Sequence, residues 1–435
     1  MAKQFLNAIV AVGAVALVVS ACGSSSTTSS GSASSTSTVL STGGSAAPPV
    51  TSGSPYHVGF ITSLTGPVAP DLAISLKAAQ ARIDLQNAEG GVNGHKIVLD
   101  SGDDGGSTTQ VVTAAQNLVE NDHDLVVGTT SYFTAAISGY LHSVGEPVVG
   151  ANYDGPEWGT QPNTNMFGNW GPMNPHYPAT TTYAEEFKQL GATKLACVAN
   201  NVPGGIGSCK ISQIGGNAVG ISTVYTNDSL SLAQSSFSDV VLGIKSSGAN
   251  GIFLSLAASQ AVPIMVALSQ AGVHVPALIL TTGYGQDLLT SPTDVQAGQG
   301  AIFNSYFTPV ELKTAGTSAF QAALQKYAGI SATSVPNFEA YEGWVTADQL
   351  VKALQSGGVN PSKSSIIAGM QQVSGYTEGG LASGPISYSL SKFGTGGNPL
   401  GADNCDYFLK LSGTKFVPTS TSPVCGTIVP NSNTA

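Results

Sequence analysis

The sequence predicts an α/β fold built from parallel sheets in two similar halves. Two observations carry this. Strand-like and helix-like segments alternate, which implies parallel sheets covered by helices on both faces. The alternation restarts after about Asn174, and residues 56–435 are long enough for two domains.

Taken in order, Tyr56–Ile61 reads as a strand. From Asp71 to Asn87, Leu72, Leu76, Ala79 and Ile83 recur at four, three and four residues, the stripe of an amphipathic helix. Lys96–Asp100 reads as a strand, Thr108–Asn121 as a helix with Val111, Ala114 and Leu118 on one face, and Leu125–Val127 as a short buried strand. A helix near Ala135–Val144 and a strand at Pro147–Gly150 complete the first series. The second runs through a helix near Thr181–Leu190, strand Lys194–Ala199, strand Ile221–Thr226, helix Phe237–Ser247, strand Gly251–Leu254, helix Gln260–Ala271 and strand Ala277–Thr281. Helices Thr317–Tyr327, Phe338–Ser356 and Ser362–Val373 precede a final strand region, Gly384–Leu411.

The first 55 residues read differently. An apolar run, Ala8 to Val19, follows a single Lys3 and is too short to span a bilayer comfortably. It ends in the small residues Ser20 and Ala21, directly before Cys22. That arrangement resembles the lipobox of bacterial lipoproteins. The resemblance implies a signal peptide over 1–21, a lipidated Cys22, and extracytoplasmic tethering to the cell membrane. Residues 22–55, rich in Ser, Thr and Gly, cannot bury enough apolar surface to fold. A chain of that composition is a flexible coil spanning roughly 30 Å.

Charged residues make up 9% of the chain and its net charge is −10, which argues against nucleic-acid binding. Arginine occurs once, at Arg82, so no multi-arginine clamp for carboxylates or phosphates can form. Cys197, Cys209, Cys405 and Cys425 make an even count, which outside the cell reads as disulfides. Three pairings are open; Cys197–Cys209 with Cys405–Cys425 requires the least chain closure. The six histidines are scattered without metal-ligand spacing, and each reads as structural or exposed, so neither a metal site nor a cofactor is expected. The chain has no Gly-x-Ser-x-Gly elbow, no His-Glu-x-x-His and no phosphate-binding loop, and an enzyme is not expected.

Ser63-Leu64-Thr65-Gly66-Pro67 after the first strand, then Asn87-Ala88-Glu89-Gly90-Gly91-Val92-Asn93-Gly94-His95-Lys96-Ile97 and Asp103-Asp104, resembles the leucine/isoleucine/valine-type substrate-binding proteins of ABC importers. These are type I periplasmic binding proteins. The resemblance implies two Rossmann-like lobes joined by a three-crossover hinge, closing on a small-molecule solute that is handed to an ABC permease. It places lobe one at 56–168 with 307–383, and lobe two at 169–306 with 384–430. It also implies a monomer whose only membrane contact is the lipid anchor. A ligand-sensing protein on the same fold is the alternative reading.

The family's site maps onto particular residues. Gly128-Thr129-Thr130-Ser131-Tyr132 matches the loop that holds a ligand carboxylate, which nominates Ser131 with Thr130 and Tyr132 beside it. Asn152-Tyr153-Asp154 matches a segment holding the ligand amine and carboxylate, with Asp154 where the family carries Thr. In lobe two, Thr282 stands where many relatives carry the acid that neutralises the ammonium. Two readings stay open: Asp154 replaces that acid and the ligand is an amino acid, or the ligand lacks an ammonium and Asp154 caps a turn. An amide, a urea-like compound or a small organic acid fits the second. Tyr153, Tyr284 and Tyr341 are candidate aromatic walls. Ser259 and Gln260 are candidates for the ligand's far end. Asp71 either meets the ligand or caps its own helix.

Overall fold

The computed structural model describes residues 52–152, 155, 157–158, 161–169, 179–389 and 404–432. Cys22, Tyr153 and Asp154 therefore lie outside the described residues, as do the signal-peptide assignment and the linker before residue 52. The expectation that the linker runs to residue 55 is corrected: Gly53, Ser54 and Pro55 already belong to the first strand, which pairs at Gly53 with His95.

The first half runs β1 (Gly53–Thr62), α1 (Ala69–Ala88), β2 (His95–Asp103), α2 (Thr108–Gln116), β3 (Val127–Thr129), α3 (Ala135–Ser143), β4 (Val148–Gly150) and β5 (Met166–Gly168). Its strands form one parallel sheet in the order β2-β1-β3-β4-β5. The second half runs α4 (Thr182–Gln189), β6 (Lys194–Asn200), α5 (Pro203–Ala218), β7 (Ser222–Leu230), α6 (Ser238–Ser247), β8 (Gly251–Ser255), α7 (Ala258–Gln270), β9 (Ala277–Leu280), α8 (Gln286–Thr290), α9 (Pro292–Ala297) and β10 (Ile302–Ser305). Helices α10 (Ala315–Ala323), α11 (Phe338–Ser356) and α12 (Lys363–Met370) follow, then β11 (Cys405–Ser412), β12 (Lys415–Pro418) and β13 (Val424–Cys425). The second sheet has eight strands, ordered β12-β11-β10-β9-β8-β6-β7 with β13 beside β11. Strands β6 to β10 are parallel, whereas β11 pairs antiparallel with β10, β12 and β13.

Helix α11 crosses back to the first sheet. It lies along α1 and packs against β3 and β4, with Leu350, Val351 and Leu354 in one apolar cluster with Val58 and Phe60 of β1. Gly343 makes the approach to α1 possible: a Cβ there would lie 1.9 Å from the Ser75 carbonyl oxygen. A second cluster reaches from Ala78, Tyr341 and Trp344 into Val198, Leu254 and Phe303 around the second sheet, so apolar packing continues between the lobes.

Some elements differ from the sequence expectation. The strand expected at Leu125–Val127 forms at Val127–Thr129, and the helix expected to reach Asn121 gives way after Gln116 to a wider turn over Asn117–Asn121. In the expected strand region Gly384–Leu411, the described residues before β11 make only an isolated bridge, Tyr376 to Ile386. Helices α5, α8 and α9 and strands β5, β10, β12 and β13 were not anticipated. The structure pairs Cys197 with Cys209 and Cys405 with Cys425.

Candidate functional site

In a parallel α/β sheet the loops beyond the carboxyl ends of the strands form the natural binding edge. In the first sheet that edge collects Thr62, Ser63, Asp104, Thr130, Ser131, Asn152 and Asn169, all buried. The Thr62, Ser75 and Thr130 hydroxyls form a cluster, at 3.0 Å for Thr62–Ser75, 3.1 Å for Ser75–Thr130 and 2.9 Å for Thr130–Thr62. Asp104 organises the next layer, accepting hydrogen bonds from the Ser63 hydroxyl at 2.5 Å, the Gly106 N–H at 2.8 Å and the Ser131 hydroxyl. Ser131 Oγ also accepts from the Phe133 N–H at 3.0 Å, so its hydroxyl is already engaged within the loop. Asn152 lies over Gly168, where a Cβ would come within 2.5 Å of Asn152 Cγ.

Asp71 bridges the lobes. It sits in the first turn of α1 but makes no cap there; the N-cap is Val68, without a side-chain bond. Its carboxylate instead accepts from the Ser259 N–H at 3.0 Å and the Ser259 hydroxyl at 2.7 Å, at the N-terminus of α7. A carboxylate from one lobe thereby satisfies helix-end donors of the other. The expectation that Asp71 caps its own helix is corrected: the helix it caps belongs to the opposite sheet. Burial raises the Asp71 pKa, and the Ser259 bonds offset only part of that rise.

The other candidates are held by their own surroundings. Gln260 donates to the Ser231 and Gln234 carbonyls at 2.9 and 2.8 Å and accepts from Asn200 at 2.6 Å. The Thr282 hydroxyl donates to the Leu256 carbonyl at 2.7 Å. Tyr284 and Tyr341 are core residues. Tyr284 donates to Glu311 at 2.6 Å; Tyr341 Oη accepts from the Val310 N–H at 3.0 Å, and its ring stacks on Phe307.

Two acids that the sequence reading passed over join the site. Glu339 and Glu342 lie near the start of α11, 2% and 0% exposed. Each has an Oε1 with no hydrogen-bond partner, while Glu342 Oε2 accepts a long 3.4 Å bond from Asn169. Tyr132 marks where they gather: burial raises its phenol pKa, and the charges of Glu339, Asp71, Glu342 and Asp104 raise it further. The only sequence signal was two glutamates three residues apart, hence on one helix face, in an otherwise apolar segment.

These carboxyls are short of positive partners. Arg82 is bound to Asp348 at 2.7 Å and Lys363 to Glu146 at 2.5 Å. Burial, then the charge of Asp71, pushes the Glu339 pKa up to about 8, and burial holds Glu342 well above the usual carboxylate range. Near neutral pH both favour the protonated form until a cation enters.

Two parallel-sheet lobes with a buried polar edge define a two-lobed α/β protein, and residues 55–401 match the family model described as periplasmic binding protein. The chain belongs to that family. It is 29% identical over 197 residues to Leu/Ile/Val-binding protein homolog 3 of Brucella melitensis, covering 45% of this chain and 53% of that protein. It is 30% identical over 190 residues to Leu/Ile/Val-binding protein BraC3 of Rhizobium johnstonii, covering 43% and 51% respectively. The chain thus spans about half the length of the curated relatives it matches. Among solved structures, it superposes on a substrate-binding periplasmic protein from Ralstonia solanacearum with a TM-score of 0.71 at 15% identity, covering 83% of this chain and 99% of that one. A solute-binding protein from R. palustris in complex with benzoate also gives 0.71 at 15% identity, covering 88% and 99%. A leucine-binding protein from Thermotoga maritima gives 0.68 at 14% identity, covering 85% and 99%. At these identities the likeness establishes the fold.

Proposed function

We propose that this protein is the extracytoplasmic solute-binding subunit of an ABC importer, a binder and not an enzyme, and that its ligand is an amino acid. The observation that carries the ligand class is the pair Glu339 and Glu342, buried carboxyls that each keep an unpartnered oxygen. A ligand ammonium supplies the missing positive charge and lowers both pKa values on entry. Ser131, Thr130, Tyr132 and Asn152 form the opposite, hydroxyl- and amide-lined side of the same site. Asp154, Tyr153, Gln260 and Thr282 stay candidates from the sequence, whereas Tyr284 and Tyr341 are packed in the core and leave the candidate set. On this reading lobe one comprises 56–168 with 307–383, and lobe two 169–306 with 384–430. The Leu/Ile/Val-binding names of the curated relatives support an amino acid.

A second reading has its own support. Structural neighbours were solved with benzoate and 3,4-dihydroxybenzoate, and protonated Glu339 and Glu342 can donate to a ligand carboxylate. The two readings separate by calorimetric titration across pH. An ammonium ligand needs ionised glutamates, so its affinity rises from pH 6 to about 8. An aromatic acid needs them protonated, so its affinity falls over the same range. Glu339→Gln with Glu342→Gln weakens amino-acid binding by about tenfold or more, the scale of a charge-assisted hydrogen bond. Unchanged amino-acid affinity in that double variant, or binding confined to benzoates, amides or other solutes without an ammonium, overturns the amino-acid reading.

The placement is a separate proposal. The lipobox-like segment makes Cys22 the lipid-bearing residue, holding a monomer near its permease and raising its effective concentration there. Among the described residues no helix is long and apolar enough to cross a membrane. Cys22→Ser is expected to release the protein from membranes; retention after that change refutes the anchor.

A further inference from the structure

His57, Asp100 and Asp124 are far apart in sequence, yet β1, β2 and the turn before β3 bring them together. One ligand atom from each lies within 4.8 Å of the others. His57 Nδ1 and Asp100 Oδ2 are in contact at 2.7 Å, with the side chains 45% and 25% exposed. Asp124 is fully buried, and apart from the Asp100 carboxyl that faces it no side-chain or backbone group pairs with its carboxylate oxygens. Its place is built into the sheet. A Cβ at Gly59 would lie 2.9 Å from Asp124 Oδ2, so glycine there leaves room for the carboxylate over the strand. The flanking backbone is pinned on β1 by Leu125 N–H to the His57 carbonyl and Gly59 N–H to the Val126 carbonyl, both 3.0 Å.

We propose that His57, Asp100 and Asp124 form a binding site for a divalent transition-metal cation of the zinc type. One imidazole nitrogen and two carboxylates balance a double positive charge. The nitrogen donor and the small ligand number favour zinc over calcium or magnesium, which call for more oxygen ligands. Tetrahedral bonds of about 2.1 Å set ligand atoms about 3.4 Å apart. Binding therefore opens the His57–Asp100 contact slightly, and the half-exposed imidazole is free to make that shift. His57 lies five residues back along β1 from Thr62, about 16 Å from the binding edge. The metal's role is accordingly to brace the first sheet, with Asp124 as the buried ligand and the outer face left to water.

The test uses the full chain stripped with chelator and titrated with zinc chloride. The expected result is one equivalent bound, a rise in melting temperature, and at least a tenfold loss of affinity in both Asp124→Asn and His57→Ala. His57 is exposed enough that its variant keeps the fold even if Asp124→Asn does not. Failure to bind zinc overturns the proposal, as does binding that survives equally in every folded variant. Calcium binding without zinc binding overturns the assigned cation class.

Discussion

The two lobes are stabilised by different means. Both disulfides belong to the second sheet: Cys197–Cys209 ties β6 to α5, and Cys405–Cys425 ties β11 to β13. The first sheet and the helices on it contain no cysteine. That lobe relies on the seating of α11 against α1, closest at Gly343 and Ser75, and it gathers the buried acids Asp71, Asp104, Glu339 and Glu342. In the second lobe the candidates Gln260 and Thr282 are tied to backbone carbonyls of that lobe, and Ser259 serves the Asp71 carboxylate. On the proposed reading, recognition falls mainly to the first lobe, and the second is a cross-linked cover that docks on Asp71.

The largest test of this contrast removes a covalent tie. Replacing Cys197 and Cys209 by Ala frees a loop of 12 residues' separation and is expected to cost about 3 kcal/mol. Calorimetry of the ligand-free protein should show the second lobe melting earlier while solute affinity at low temperature holds. Next comes the first lobe's counterpart. Gly343→Ala drives a methyl into the Ser75 backbone and should cost about 1–3 kcal/mol, read as a lower denaturant midpoint. A neutral result would mean that α1 and α11 can separate at little cost.

The latch between the lobes comes third. Asp71→Ala removes two bonds from the α7 N-terminus and should weaken solute binding by about tenfold, with Ser259→Ala following in the same direction. Unchanged affinity and unchanged solution dimensions would show that the latch does not hold the closed form.

pH dependence gives a fourth test, set apart from that ranking. Burial raises Glu146 to about 7 despite Lys363, Asp406 to about 7 despite Asn304, and Glu339 to about 8. Such groups bind protons more tightly folded than unfolded. Their stabilisation is complete below the ordinary glutamate range and is lost as pH rises towards 7 or 8. The melting temperature should therefore fall by a few degrees from pH 5 to pH 8, and Glu339→Gln should flatten the upper part of that slope. A rise with pH would contradict the burial of these carboxyls.

Much of this architecture was legible. The stripe of Leu72, Leu76, Ala79 and Ile83 marked α1, and α11 formed over the predicted Phe338–Ser356. Strands β5 and β10 escaped notice because each is short and closely follows turn-forming residues, Pro162-Asn163-Thr164-Asn165 and Gly298-Gln299-Gly300, so each reads as part of a loop. Helix α5 escaped because Pro203-Gly204-Gly205 and Gly215-Gly216 look like loop. Those glycines serve close packing: a Cβ at Gly205 would lie 2.5 Å from the Asn200 carbonyl oxygen, and one at Gly215 would lie 2.4 Å from that of Thr180. Of the site, the Thr130-Ser131-Tyr132 loop was visible as a motif. Glu339 and Glu342 were not, because a helical glutamate reads as solvent-facing until its neighbours are known.

The sequence by itself determined the α/β alternation and its restart, the family resemblance, the scarcity of arginine and the even cysteine count. Each is a local pattern or a tally, available without any long-range contact. Only the tertiary structure decided which helix Asp71 caps, how the four cysteines pair, and that Glu339 and Glu342 are buried without positive partners. The same holds for the meeting of His57, Asp100 and Asp124. The physical reason is that burial and partnership belong to pairs of residues. In a parallel sheet, strand order brings residues from separate crossovers side by side, and no single stretch of chain records that order.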